Sequence, residues 1–224
     1  MNTEWLEICK QVAQERAHLE AVQGWHVASD QPLFFEYRWE HVQEVVKLAT
    51  WLAAQIDAAD RADKQAVDRE VLEAAAWLHD IAKLRPNHAQ AGAVEAAQIL
   101  RQTDFPPAKV AQMANVIRQH EGMFRAQGDD PLEPIEAAIL WDADKLSKLG
   151  IQALAYGLSA PYYQGKTLQA RRKETQEWVN DVLSKTVYSM NTEPAQRLAV
   201  RRYREMVAAL DAWAREETES NIQD

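Results

Sequence analysis

The stretch "AAAWLHDIAK", residues 74–83, begins as an apolar helical run. It then sets His79 and Asp80 side by side, with Lys83 one turn further on. His79 follows Leu72 and Ala76 by seven and three residues, so it continues the stripe that a helix in this place would bury. An imidazole and a carboxylate therefore fall where apolar packing should go on, and an unpaired carboxylate there is strongly disfavoured. A single HD dipeptide proves little. Its meaning depends on partners supplied by the rest of the chain.

Those partners recur on other helical stripes. His41 precedes Val45, Leu48 and Leu52 by 4, 7 and 11 residues, and His120 follows Val110, Met113 and Ile117 by 10, 7 and 3. Asp142 lies between Ile135 and Ile139 on one side and Leu146 and Leu149 on the other. His88 opens a segment whose Ala91 and Gly92 permit close approach. Any one of these histidines is more often a hydrogen-bonded core residue than a ligand, but four of the six sharing the pattern reverse that balance. A divalent cation binds neutral imidazoles and ionised carboxylates directly, and such an oxygen/nitrogen set suits Mn, Fe, Co, Ni, Mg or Zn. Cys9 is the only cysteine, which excludes both an intrachain disulfide and a cysteine-based structural zinc site. His18 reads as a surface residue and His26 as a packed loop residue.

Around this pattern the chain reads as all-α. Helices are expected over about 3–22, 37–59, 68–84, 88–103, 107–121, from Pro131 or Pro134 to about 149, 168–188 and 192–217, punctuated by Pro86, Pro106, Pro107 and Gly150. Asn87 suits an N-cap, with Gln90 in the capping-box position. The segment "AADRADKQAVD" reads as a polar connection, and 151–165 as mixed structure with Pro161 and Gly165 as breakers. With 224 residues, 47% of them hydrophobic, one domain is expected: a metal-binding core at about 36–150 and a C-terminal helical extension at 151–224. The formal charge of -9 makes a grip on long nucleic acid unfavourable, though a small phosphate ester held by a metal and local cations is compatible with it. No apolar run approaches the roughly 18 residues of a membrane span, and the N-terminus carries no uninterrupted apolar stretch of the secretory kind; a cytoplasmic protein is the expectation.

The order His41, His79-Asp80, Asp142 resembles the HD superfamily of metal-dependent phosphohydrolases, and His88 and His120 between them resemble its two-metal members. The strings "EHV" at 40–42, "HAQAGA" at 88–93, "IRQHEG" at 117–122 and "DADKLSKLG" at 142–150 carry the likeness. It extends over about 36–215, with a tail similar to small stand-alone bacterial HD proteins. The resemblance implies that His41, His79, Asp80 and Asp142 hold one metal. Asp80 would bridge to a second, completed by His88 and His120. Lys83 matches a lysine suited to a substrate phosphate, and Asp142 could also orient the nucleophile. No GYP-type signature follows "HEG", which argues against a cyclic-di-GMP phosphodiesterase.

The expected activity is hydrolysis of a small phosphate ester, monoester or diester, a nucleotide being one option. Asp80, Lys83 and Asp142 are the expected catalytic residues, and Lys83, Arg38 and Arg118 the expected substrate contacts. Two rivals stand beside it: a di-iron oxygenase on the same fold, and a non-catalytic metal-binding sensor or scaffold. Asp144 and Lys145 read as a structural ion pair, Glu121 as a surface charge, and "GMFRAQGDD" as either a substrate-facing flap or a plain connector. The basic runs at 170–173 and 200–204 have matching acids and read as solvated faces. The long terminal helices would cap the core or pair across a homodimer.

Overall fold

The structure, a computed structural model, describes residues 4–28, 30–59, 66–126 and 128–219. The middle of the polar connection expected after the second helix, residues 60–65, lies outside that range. The described residues are helical throughout, without strands, and no helix among them is long and apolar enough to cross a membrane.

The first helix is α1 (Glu4–Trp25). It buries a single stripe, Trp5, Cys9, Ala13, Ala17 and Ala21, at four-residue spacing. The small residues let α1 lie close against α2 (Tyr37–Ala58), which answers with Val42, Val45, Leu48, Ala49 and Leu52. At the far end of this contact the Tyr37 hydroxyl occupies the space a Cβ would take on Gly24.

The helix that carries the opening stretch is shorter than its pattern suggests. α3 (Arg69–Leu78) is capped by Asp68, whose side chain accepts from the Val71 N–H at 3.2 Å, and it stops just before the HD pair. From there the backbone tightens into turns, with Lys83 N–H donating to the Asp80 carbonyl and Arg85 N–H to that of Ala82. α4 (His88–Leu100) follows. Asn87 stands at its N-cap in the left-handed region at φ 52°, and its side chain makes no capping bond, so the capping box does not form. A 3-10 turn at Pro107–Lys109 leads into α5 (Val110–Arg118), and His120 lies in the turn beyond.

α6 (Ile135–Leu146) runs through the centre and is buried on every face from Glu136 to Leu146. Gly150, at φ 97°, makes the turn that follows, where Arg202 packs within 3.2 Å of the Cβ position. α7 (Ile151–Ser159) and a 3-10 turn at Pro161–Tyr163 fill the region expected to be mixed. The single helix expected over 168–188 runs without interruption over 168–187, as α8 (Leu168–Trp178), a π-helical segment at Val179–Leu183 and α9 (Ser184–Val187). α10 (Glu193–Glu219) packs against α2, α6, α7 and α8, which ties the C-terminal helices to the core.

Candidate metal centre

Five elements deliver ligand-type side chains to one place. His41 projects from α2, His79 and Asp80 follow the end of α3, His88 is the first residue of α4, His120 follows α5, and Asp144 stands on α6. They form two triads, His41–His79–Asp144 and Asp80–His88–His120, each with its donor atoms within 4.8 Å of one another. Asp80 faces both. Its Oδ2 lies 3.5 Å from His41 Nε2 and 3.6 Å from His79 Nε2, and its Oδ1 lies 3.3 Å from His120 Nε2 and 3.7 Å from His88 Nε2. Two donors each about 2.1 Å from a common cation sit roughly 3.0 Å apart at an octahedral angle and about 3.4 Å at a tetrahedral one.

The hydrogen bonds behind the imidazoles fix which nitrogen faces inward. His79 Nδ1 donates to the Ala76 carbonyl at 2.8 Å, and His120 Nδ1 to the Ile117 carbonyl at 2.7 Å. Ser147 Oγ donates to the Asp144 carbonyl at 2.7 Å and so accepts from His41 Nδ1 at 3.2 Å. With each Nδ1–H engaged, each Nε2 presents a bare lone pair. The Nε2 atoms of His41 and His79 face one another at 3.4 Å in a buried site. Two lone pairs so placed repel unless an electrophile lies between them, and a divalent cation fits that requirement.

Protonation agrees with this. Burial lowers the pKa of His41, lowers that of His79 to about 3, and lowers that of His88 with help from Lys83, so these imidazoles stay neutral. Burial opposes ionisation of Asp80, but the Arg38 guanidinium bound to its Oδ2 favours the carboxylate, and the carboxyl lies well below its usual range. For Asp144 burial is likewise outweighed, chiefly by Lys145 and Lys148.

Asp142, expected as the fourth ligand, corrects the sequence reading. Its Oδ1 accepts from the backbone N–H and side-chain amide of Asn191, and its Oδ2 from the backbone N–H and hydroxyl of Thr192, all at 2.8–2.9 Å. Burial pushes its pKa up to about 6 while these four donors pull it down. They occupy the carboxylate, which joins neither triad. Asp144 lies 3.3 Å from His41 Nε2 instead. The Asp144–Lys145 ion pair is present, but Asp144 also pairs with Lys148, and Lys145 donates to the His120 carbonyl at 2.8 Å. Lys145 thus ties the two triads together.

The expected substrate contacts divide. Lys83 Nζ sits 3.2 Å from Asp80 Oδ1 and 3.3 Å from His88 Nε2, at the wall of a cavity of about 810 Å3. Arg38 also borders that cavity, but it is buried and bound to Asp80 rather than standing free at the mouth. Arg118 is exposed and does not border it. The 121–131 loop is not part of the wall either. The Met123 carbonyl accepts from Thr186, and Arg125 donates to Asn191 and to the Asp130 carbonyl, so the loop is tied to the C-terminal segment. Glu121 is about half exposed, His18 pairs with Glu36 at 2.7 Å, and His26 is exposed in a turn at φ 54° rather than packed.

Beside His41, Lys83, Ser147 and Lys148, the cavity wall carries the rings of Phe34, Phe35, Tyr156, Tyr162, Tyr163 and Trp178, and also the acids Glu40, Glu44 and Glu174. Sequence reasoning missed Asp144 as a ligand, Ser147, Lys148 and Tyr156. The four-residue spacing of Asp144 and Lys148 was the one available signal.

The HD-domain family profile matches residues 38–149, half the chain, which includes all six clustered ligand-type residues. The chain belongs to the HD-domain family. Membership supports a metal-dependent hydrolase in general, and the two triads are groups that could bind the divalent metal. No curated protein matches the chain. Among solved structures it is similar to Bacillus subtilis YpgQ in complex with ADP, at 18% identity and TM-score 0.59, covering 91% of this chain and 97% of that one. A Lactobacillus plantarum protein matches at 21% identity and TM-score 0.60, covering 98% and 100%. A predicted HD superfamily hydrolase from an uncultured Thermotogales bacterium matches at 21% and 0.53, covering 90% and 91%. At these identities the likeness is one of fold, and it runs the length of the chain.

Proposed function

We propose that this HD-domain protein hydrolyses a small phosphate ester whose alcohol portion carries a ring. The observation that carries the reading is Asp80, with one oxygen towards each triad, next to a ring-bearing cavity that His41, Arg38 and Lys83 border. When bound there, a divalent cation lowers the pKa of a water and polarises a phosphoryl oxygen. His41, His79 and Asp144 would hold one ion and His88 and His120 another, with Asp80 shared. Lys83 reaches the same spot as a point charge for an equatorial phosphate oxygen, and Lys148 adds a second cation to that wall. The rings of Phe35, Tyr156, Tyr162 and Trp178 would seat the alcohol portion and keep water off it.

Lys83, Lys148 and the buried Arg38 all lie beside the triads, so the phosphate is read there and the ring beyond it. The ADP bound by the Bacillus subtilis neighbour makes adenine nucleotides sensible first probes. Long nucleic acid is a poor fit for a chain of charge -9. The test is phosphate release, with Mn2+ added, from p-nitrophenyl phosphate, bis-p-nitrophenyl phosphate, AMP, ADP and ribose 5-phosphate. Turnover of ring-bearing esters ahead of ribose 5-phosphate is expected. Absence of turnover on every ester, in protein shown to hold metal, sinks the proposal.

A further inference from the structure

The bridging carboxylate has a support that comes from outside the family match. Arg38 is 7% exposed, and its Nη2 lies 2.5 Å from Asp80 Oδ2. Its Nε faces Glu20 Oε2 at 2.7 Å, an ion pair rather than a well-aligned hydrogen bond. Glu20 stands on α1, before residue 38 where the family match begins, and its side chain is 16% exposed. On the other side Tyr156 of α7, beyond the match, also interacts with Arg38. A chain Glu20–Arg38–Asp80 therefore runs from the N-terminal helix to the atom shared between the triads. It is enclosed on the α1 side, where the cavity bordered by Glu20, Arg38 and Asp80 is only about 10 Å3.

A carboxylate that serves two cations must hold its plane, and rotation about its Cβ–Cγ bond would take an oxygen from one triad or the other. Arg38 fixes that plane by occupying one of the roughly four lone-pair directions of Asp80, on Oδ2, while Lys83 lies 3.2 Å from Oδ1. Alone, a buried guanidinium next to two dications would repel them. Glu20 offsets that charge and holds the guanidinium in place. We propose that Glu20 and Arg38 are positioning residues for the metal centre, Glu20 acting on Asp80 through Arg38, so that the α1 helix belongs to the functional unit. This rests on the metal-centre reading above.

The test is calorimetric titration of the metal-free full chain with Mn2+, on wild type, E20A, E20D, R38A, R38K and the E20A/R38A pair, with thermal melting of the metal-free proteins alongside. Loss of an outer partner of a metal ligand costs about 10- to 100-fold in affinity. E20A and R38A are each expected to weaken Mn2+ binding by a factor in that range. E20D should recover most of the loss, R38K should not, and the pair should be no weaker than R38A alone because both act along one path. Melting temperature should not rank the variants as affinity does. Wild type that binds Mn2+ beside an E20A protein within twofold of it overturns the proposal and leaves the metal centre standing, as do losses that add in the pair. Wild type that binds no divalent ion at all overturns the metal centre itself. If E20A does not fold, E20Q, which keeps the shape and removes the charge, takes its place with the same expected loss and the same overturning result.

Discussion

Replacing Asp144 by Asn separates the two aspartates that the sequence places two residues apart. Asp144 is one of three donors in its triad and lies 3.3 Å from His41 Nε2. Changing only an outer partner costs about 10- to 100-fold in metal affinity, so loss of a direct ligand should cost at least about 100-fold, or roughly 2.7 kcal/mol. The same change leaves Lys145, 2% exposed, without its counter-charge, and an unpaired buried charge costs about 3–5 kcal/mol of stability. Lys148, whose pKa burial already pulls down to about 8, can shed its proton and limit the damage. D142N should behave differently. Its amide nitrogen would face donors from Asn191 or Thr192, costing about 2–4 kcal/mol, yet both triads stay intact. Elemental analysis and Mn2+ titration give metal content and affinity, and denaturant unfolding gives stability. The expected pattern is D144N deficient in metal, and D142N destabilised with wild-type metal content. The reverse pattern, with metal lost in D142N and kept in D144N, refutes the assignment.

Other outcomes follow from single contacts. K83A removes a cation from the cavity wall, so kcat/KM on a phosphate ester should fall about 10- to 100-fold in protein saturated with Mn2+; an unchanged kcat/KM would take Lys83 out of the substrate's path. Cys9 is fully buried, and burial, with Glu73, pushes its thiol up to about 12, so a thiol reagent at pH 8 should label the protein only after unfolding. Labelling of the folded chain would contradict the packing of α1. Burial works against ionised Asp68, but Lys109 and the Val71 N–H outweigh it and lower its pKa below the usual 3.8. The stabilisation this carboxylate gives is therefore present above that value and lost as pH falls through the lower folded value. D68A should cost about 1 kcal/mol at neutral pH through the lost cap. Chemical unfolding over a series of pH values from 7 downward checks this, with the difference between the two proteins shrinking towards the acid end.

The helical class could be read from the chain alone because it depends on local periodicity. His41, His79 and His120 could be read for the same reason, each falling on an apolar stripe at fixed spacing, while His88 and Asp80 came with the family resemblance; the structure brings all five together. Helix ends were less legible, since α3 stops at Leu78 although its apolar pattern runs on through Ile81 and Ala82. Periodicity could not choose between Asp142 and Asp144. It separates residues by the face they present, and α6 is buried on all faces, so both aspartates meet protein whichever way they point. What distinguishes them comes from far along the chain: Asn191 and Thr192 close around Asp142, and His41 approaches Asp144. Arg38 was legible as a cation near His41, but only the docking of α1 brings Glu20 to it and turns it towards Asp80. Spacing within a helix decides which residues are turned inward; packing between distant segments decides what each of them meets there.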